Sequence, residues 1–254
     1  MDRFNLHGKT AIVTGGSRGI GKAIALGFGD SGAKVVVAAR KVHLLEEVAE
    51  EIRATGGEAL AVKCDLSNDN ELHNLIDKTV QRFERIDILV NNAGISPFLV
   101  KSEEVTKEMF EGVIQVNLLA PFLLCREAGK IMMKNNSGRI INIASVGGMV
   151  GFQRQIAYSA TKGALIQMTK VLAIEWSQKY NITVNAIAPG YLVTDLTDGV
   201  RASKKISENL LQRTPMRRFG ETDEIVTAAL YLASEYSSYT TGTTLTVDGG
   251  WMAY

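Results

Sequence analysis

The chain has 254 residues, 46% of them hydrophobic and 22% charged, and carries a net charge of +1. That length can bury a substantial core as one large domain or two small ones. The near-neutral balance, with no long run of one sign, argues against nucleic acid or an anionic membrane surface as a partner.

Residues 10–14 form a β-branched run that leads straight into Gly15-Gly16-Ser17-Arg18-Gly19-Ile20-Gly21, after which helical periodicity holds from about 20 to 30. The apolar run 34–39 reads as a strand buried on both faces. A charged amphipathic helix over 43–54 follows, closed by Gly56-Gly57. Strands are expected at 58–64, 86–90, 139–143, 182–188 and 244–247. Helices are expected at 71–83, at 107–133 with a bend near Pro121, at 158–179 and at 223–233. Strand and helix alternate with short connections, which predicts a parallel sheet covered by helices on both faces. A polar segment, 191–218, interrupts the alternation. No linker, repeat or low-complexity tract divides the chain, so the whole of it, 1–254, is expected to form one α/β domain.

Two local patterns carry chemistry. Gly15, Gly19 and Gly21 follow a strand and open a helix. Glycines there permit a tight turn and close backbone approach, and the helix N-terminus can hold a pyrophosphate; tight packing alone is the competing reading. No acid stands at the end of the second strand to hold a ribose 2′-hydroxyl; Arg40 does, and Arg18 lies within the loop. Two guanidinium groups there favour a 2′-phosphate, hence NADP(H) over NAD(H), unless Arg40 is a plain surface residue. The second pattern is Tyr158 and Lys162, one helical turn apart on a shared face. An ammonium beside a phenol favours the phenolate and tunes a proton donor for an alcohol or carbonyl oxygen. Alone, such a pair is usually an ordinary surface pair on a helix.

Taken together and in order, these residues resemble the short-chain dehydrogenase/reductase family over nearly the whole chain. The match rests on the glycine loop, Asp65, Asn91-Asn92-Ala93-Gly94, Asn117, Ser145, Tyr158 with Lys162, Pro189-Gly190, and the closing Val247-Asp248-Gly249-Gly250. The resemblance implies a Rossmann-type doubly wound sheet and an oxidoreductase that moves hydride between NADP(H) and a carbonyl or secondary alcohol. It implies a cofactor held by Gly15, Ser17, Arg18, Gly19, Ile20, Gly21 and Arg40. Asp65 and Leu66 would contact adenine, and Asn91, Ala93 and Gly94 would line its ribose side. Pro189, Gly190, Leu192 and Thr194 would wrap the nicotinamide and phosphates. Tyr158 is the implied acid/base, Lys162 its electrostatic partner and a ribose ligand, Ser145 the holder of the substrate oxygen. Asn117 would kink its helix and anchor a water beside Lys162. A cofactor-sensing or scaffolding protein on the same fold would be marked by loss of Tyr158 or Lys162, and both are present.

The substrate walls are expected from Ser96, Phe98, Gly147, Phe152, Gln155, Tyr191 and the segment 196–211, with 191–218 as a lid. Three substrate classes compete: 3-oxoacyl thioesters, sugar acids, and small or cyclic ketones. Lys130, Lys134 and Lys179 form a weak case for an acyl carrier protein. The resemblance implies a homotetramer, and the helices over 107–133 and 158–179 are apolar on more than one face. Cys64 and Cys125 lack motif spacing and read as buried free thiols. His7, His43 and His73 are scattered, so no metal site is expected. The opening segment, 1–9, lacks a signal-peptide apolar core, and no run of 18 uninterrupted apolar residues occurs. A cytoplasmic enzyme is the expectation.

Overall fold

Seven parallel strands lie in the order β3-β2-β1-β4-β5-β6-β7. The computed structural model describes residues 4–253; the first three residues of the polar opening segment, and Tyr254, lie outside them. In chain order the elements are β1 (Thr10–Thr14), α1 (Gly19–Asp30), β2 (Lys34–Ala39), α2 (Val42–Ala54), β3 (Glu58–Lys63) and α3 (Asp69–Phe83). Then come β4 (Ile88–Asn91), α4 (Lys107–Ile114), α5 (Ala120–Lys134), β5 (Gly138–Ile143), α6 (Ile156–Tyr180) and β6 (Ile182–Pro189). The chain closes with α7 (Asp198–Ala202), α8 (Lys204–Arg213), α9 (Asp223–Ala233) and β7 (Thr244–Val247).

Side chains on a strand alternate between faces, and here both faces are apolar. Ala11, Val13, Val35, Val37, Ile88 and Val90 point to one layer, where they meet Ile24 and Phe28 of α1, Leu45 of α2 and Ile225 of α9. Ile12, Val36, Leu89, Ile140 and Val184 point to the other, against α3, α5 and α6. The unbroken apolar strands of the sequence are thus the signature of this two-sided burial.

The strand order reverses between β1 and β4. The crevice beyond the carboxyl ends of those two strands is where ligands bind in sheets of this kind. It is floored by the residues that follow them, Gly15 and Asn92.

Local boundaries moved for physical reasons. α3 starts two residues earlier than its apolar pattern, because Asn68 caps it by accepting from the Asn70 amide at 3.0 Å. The break between α4 and α5 is a π-helical turn over Gln115–Leu119, ahead of the expected bend at Pro121. Asn117 sits in that turn and faces inward. Pro121 then falls in the first turn of α5, where its missing N–H is tolerated. By length and composition alone the run Lys107–Lys134 could cross a membrane. In the fold its Ala120, Leu124, Ala128 and Met132 pack onto the sheet. The segment 191–218 is largely helical, and a short parallel bridge between Leu192 and Gly220 ties its two ends together. The Val193 amide donates to Gly220 O at 2.8 Å, and the Gly220 amide to Tyr191 O at 3.0 Å.

Candidate active site

A cleft of about 530 Å³ runs along the crevice. Its floor is the glycine loop. Gly15 has φ +65°, and a Cβ there would stand 2.8 Å from Asn92 Nδ2. A Cβ on Gly21 would stand 2.3 Å from Gly15 O and 2.4 Å from Asn92 Nδ2. Only glycine fits either position. α1 begins without a side-chain cap and with no acid in its first turn. Its first N–H groups and its dipole are therefore left to an anion. These features fit the pyrophosphate of a dinucleotide.

Of the expected cofactor residues, Gly15, Ser17, Arg18, Gly19, Ile20, Arg40, Asp65, Leu66, Ala93, Gly94 and Thr194 line this cleft. Pro189, Gly190 and Leu192 line the smaller inner pocket that adjoins it. Asn91 lies elsewhere: it is buried, and its Nδ2 donates to Asn142 Oδ1 at 2.9 Å beneath the cleft. As the last residue of β4 it points into the core, and the next residue takes the lining position. Asn92 donates to Thr14 O at 2.8 Å and to Gly15 O at 3.3 Å, tying β4 to the loop. Asp65 accepts from the amide and hydroxyl of Ser67 at 2.9 and 2.7 Å, chiefly the first of which holds its carboxyl below the ordinary range. Arg18 is paired with Asp195 across the cleft mouth. Sequence reasoning missed Lys41 beside Arg40, and Asn92, Ile95 and Val116; Leu196, from the expected lid segment, also lines the cleft. Lys41 and Asn92 adjoin residues already singled out; Val116 is brought in only by tertiary packing.

The inner pocket, about 100 Å³, holds Ser145, Tyr158 and Lys162. Ser145 follows β5 and accepts from the Gly147 amide at 3.0 Å, which fixes its hydroxyl at the strand end. Tyr158 stands on the first turn of α6. Burial raises its phenol pKa, with the nearby Ser145 hydroxyl pulling the other way. The expected depression by an adjacent ammonium is not among the causes of this shift; burial governs it. Lys162 Nζ lies 5.8 Å from the Tyr158 ring centroid and donates to Ile143 O at 2.7 Å. It is 4% exposed, and burial lowers its ammonium pKa to about 8.

Asn117 reaches the same place from behind. Its Oδ1 accepts from the Ile95 amide at 2.8 Å, and its Nδ2 donates to Ile95 O at 2.9 Å and to Thr161 Oγ1 at 3.3 Å. Gly94 lies between: a Cβ there would sit 3.2 Å from Lys162 Nζ and 3.5 Å from Asn117 Oδ1.

Phe152 and Tyr191 stack at 5.8 Å, and Trp251 packs edge-on to both, at 5.6 and 6.0 Å. Trp251 was not expected, being distant in sequence from every motif but the closing turn. None of the expected wall residues Ser96, Phe152, Gln155 and Tyr191 lines the inner pocket itself; Ser96 and Gln155 are half-buried on flanking loops.

A family model described as "Enoyl-(Acyl carrier protein) reductase" matches residues 15–252. The chain is 42% identical to a 3-oxoacyl-[acyl-carrier-protein] reductase of Synechocystis sp., over 98% of this chain and 99% of the relative. It is 40% identical to a 2-dehydro-3-deoxy-D-gluconate 5-dehydrogenase of Pseudoalteromonas atlantica, over 99% of each. A gluconate 5-dehydrogenase from Burkholderia cenocepacia, solved with NADP and tartrate, superposes with a TM-score of 0.95 at 35% identity, over 100% of this chain and 98% of that one. Fold, glycine loop and full-length similarity agree, and the chain belongs to the short-chain dehydrogenase/reductase family.

Proposed function

We propose that the protein interconverts a ketone and a secondary alcohol using NADP(H), with Tyr158 as the proton donor and acceptor. The observation that carries this is the inner pocket, where Ser145 and Tyr158 face one space and Lys162 stands behind them. The glycine loop and uncapped α1 would hold the pyrophosphate; Arg40 and Lys41, at the end of β2, would meet the 2′-phosphate. NADP(H) bound there supplies or accepts the hydride.

The protein's own part is positional and protonic. Ser145 Oγ and Tyr158 Oη together hold the substrate oxygen, and burial keeps Tyr158 in its neutral, proton-bearing form until that oxygen becomes basic. The proton then passes from Tyr158 to the new alkoxide. The Lys162 ammonium, held by Ile143 O, stabilises the tyrosinate left behind. Asn117 fixes the Ile95 backbone and the turn bearing Thr161, so the Lys162 environment is rigid. Exposed Leu119 and Phe122 beside α4 and on α5, and Val171 and Ile174 on α6, support a homotetramer.

The test is Tyr158→Phe. NADPH binding, followed by fluorescence titration, should stay within about twofold of wild type, while turnover with any accepted substrate falls by at least about 100-fold. Turnover within tenfold of wild type would remove Tyr158 from the role.

A further inference from the structure

Three arginines cluster at the end of α8 and just beyond it, and two of them are engaged. Arg218 pairs with Glu224 at 2.6 Å, and Arg217 donates to the carbonyls of Leu211 and Gln212. Arg213 differs. Its guanidinium lies 4.1 Å over the Trp251 ring and has neither ion pair nor hydrogen bond among the described residues.

Its place is built. The Met216 amide donates to Gly249 O at 3.2 Å, and a Cβ on Gly250 would stand 2.9 Å from Pro215 Cγ. Gly249 and Gly250 hold φ of +64° and +84°, a turn closed by Asp248, which accepts from the Gly250 and Met252 amides. The end of α8 and the closing turn are thereby locked together, which sets Arg213 on Trp251. Trp251 in turn packs on Phe152 and Tyr191. Phe152 reaches back to the catalytic end: a Cβ on Gly147 would lie 2.9 Å from its ring and 3.4 Å from Ser145 Oγ. An aromatic wall therefore runs from Ser145 to an uncommitted guanidinium.

We propose that Arg213 receives the carboxylate of an anionic hydroxy or oxo acid whose reacting carbon lies at Ser145 and Tyr158. This rests on the oxidoreductase reading above and names its substrate class. Contact with the Trp251 ring holds the guanidinium in place while its N–H groups make no hydrogen bond to the described residues, which leaves them available to a carboxylate. The aromatic wall offers flat apolar surface to the C–H face of a polyol chain. An acyl thioester carries no carboxylate and gains nothing from the group.

Two probes of similar reactivity and different charge test this: D-gluconate and the neutral alcohol cyclohexanol, each with NADP⁺, on wild type, Arg213→Gln and Arg213→Lys. The expected result is a loss of about 10- to 100-fold in kcat/KM for gluconate in Arg213→Gln, carried by KM, with partial recovery in Arg213→Lys and no change for cyclohexanol. Equal losses on both probes would mean that Arg213 only braces Trp251, and would overturn the proposal. So would a wild type that oxidises cyclohexanol but neither oxidises gluconate nor binds it or tartrate. If the wild type oxidises no alcohol, the oxidoreductase reading itself fails. Calorimetric titration of gluconate and tartrate into the NADP⁺-loaded protein then judges Arg213 separately: binding abolished by Arg213→Gln upholds the carboxylate site, and binding unaffected by it, or absent in wild type, overturns it.

Discussion

Replacing Lys162 with methionine separates what this side chain does for the reaction from what it costs the fold. The ammonium is 4% exposed, and burial lowers its pKa from 10.5 to about 8. At about 1.4 kcal/mol per pH unit, the folded protein disfavours the charged form by roughly 3 kcal/mol relative to the unfolded chain. Methionine has nearly the same length and no charge to desolvate. It forfeits the hydrogen bond to Ile143 O, a charge-assisted bond worth roughly 1.5–3 kcal/mol. The two effects nearly offset, so Lys162→Met at neutral pH should lie between unchanged and about 1.5 kcal/mol more stable.

The pH dependence is more decisive than the offset. Below about pH 8 Lys162 carries its proton in both states, and the burial penalty is present in full. Between about pH 8 and pH 10 the folded chain releases the proton while the unfolded chain keeps it. The unfolded state then binds more protons, so wild-type stability rises with pH across that window. Methionine has no such gain. The wild type should therefore improve on Lys162→Met by about 2–3 kcal/mol between roughly pH 7 and pH 10. Urea unfolding followed by Trp176 and Trp251 fluorescence, at one protein concentration, measures this. A stability difference that stays flat across the window would show that Lys162 titrates near its ordinary value, and the reasoning would fail. Turnover of Lys162→Met should fall by at least about 100-fold throughout.

Two further expectations follow from the same geometry. Arg40→Ser should raise the KM for NADP⁺ by about 10- to 100-fold and leave that for NAD⁺ nearly unchanged, since only the former carries the extra phosphate; parallel changes for both would assign Arg40 to the surface. The proposed tetramer is tested by Phe122→Glu, which places a charge on the apolar face of α5 where Phe122 is 40% exposed; light scattering after size-exclusion should show a tetramer for wild type and smaller species for the variant, and a monomeric wild type would refute the assembly.

Much of this protein is legible in its amino-acid order. Unbroken apolar strands arise only where both faces of a sheet are covered, so the alternating architecture and its seven strands could be read directly. The glycine loop could be read because a tight strand-to-helix turn leaves no room for a side chain: a Cβ on Gly21 would stand 2.3 Å from Gly15 O. The turn spacing of Tyr158 and Lys162 likewise follows from helix geometry alone. What the order could not reveal depends on groups distant in the chain. Whether burial or a neighbouring ammonium governs the Tyr158 phenol depends on what packs around it, and burial wins. Asn91 and Asn92 are indistinguishable in the motif; strand phase sends one into the core and the other to the cleft. Arg213 meets Trp251 only because the end of α8 and the closing turn are locked together although far apart in the chain, a contact that no local periodicity encodes. Local periodicity and steric exclusion write the scaffold and the candidate side chains into the sequence; burial and long-range packing, which set charge states and bring remote side chains together, exist only in the folded chain.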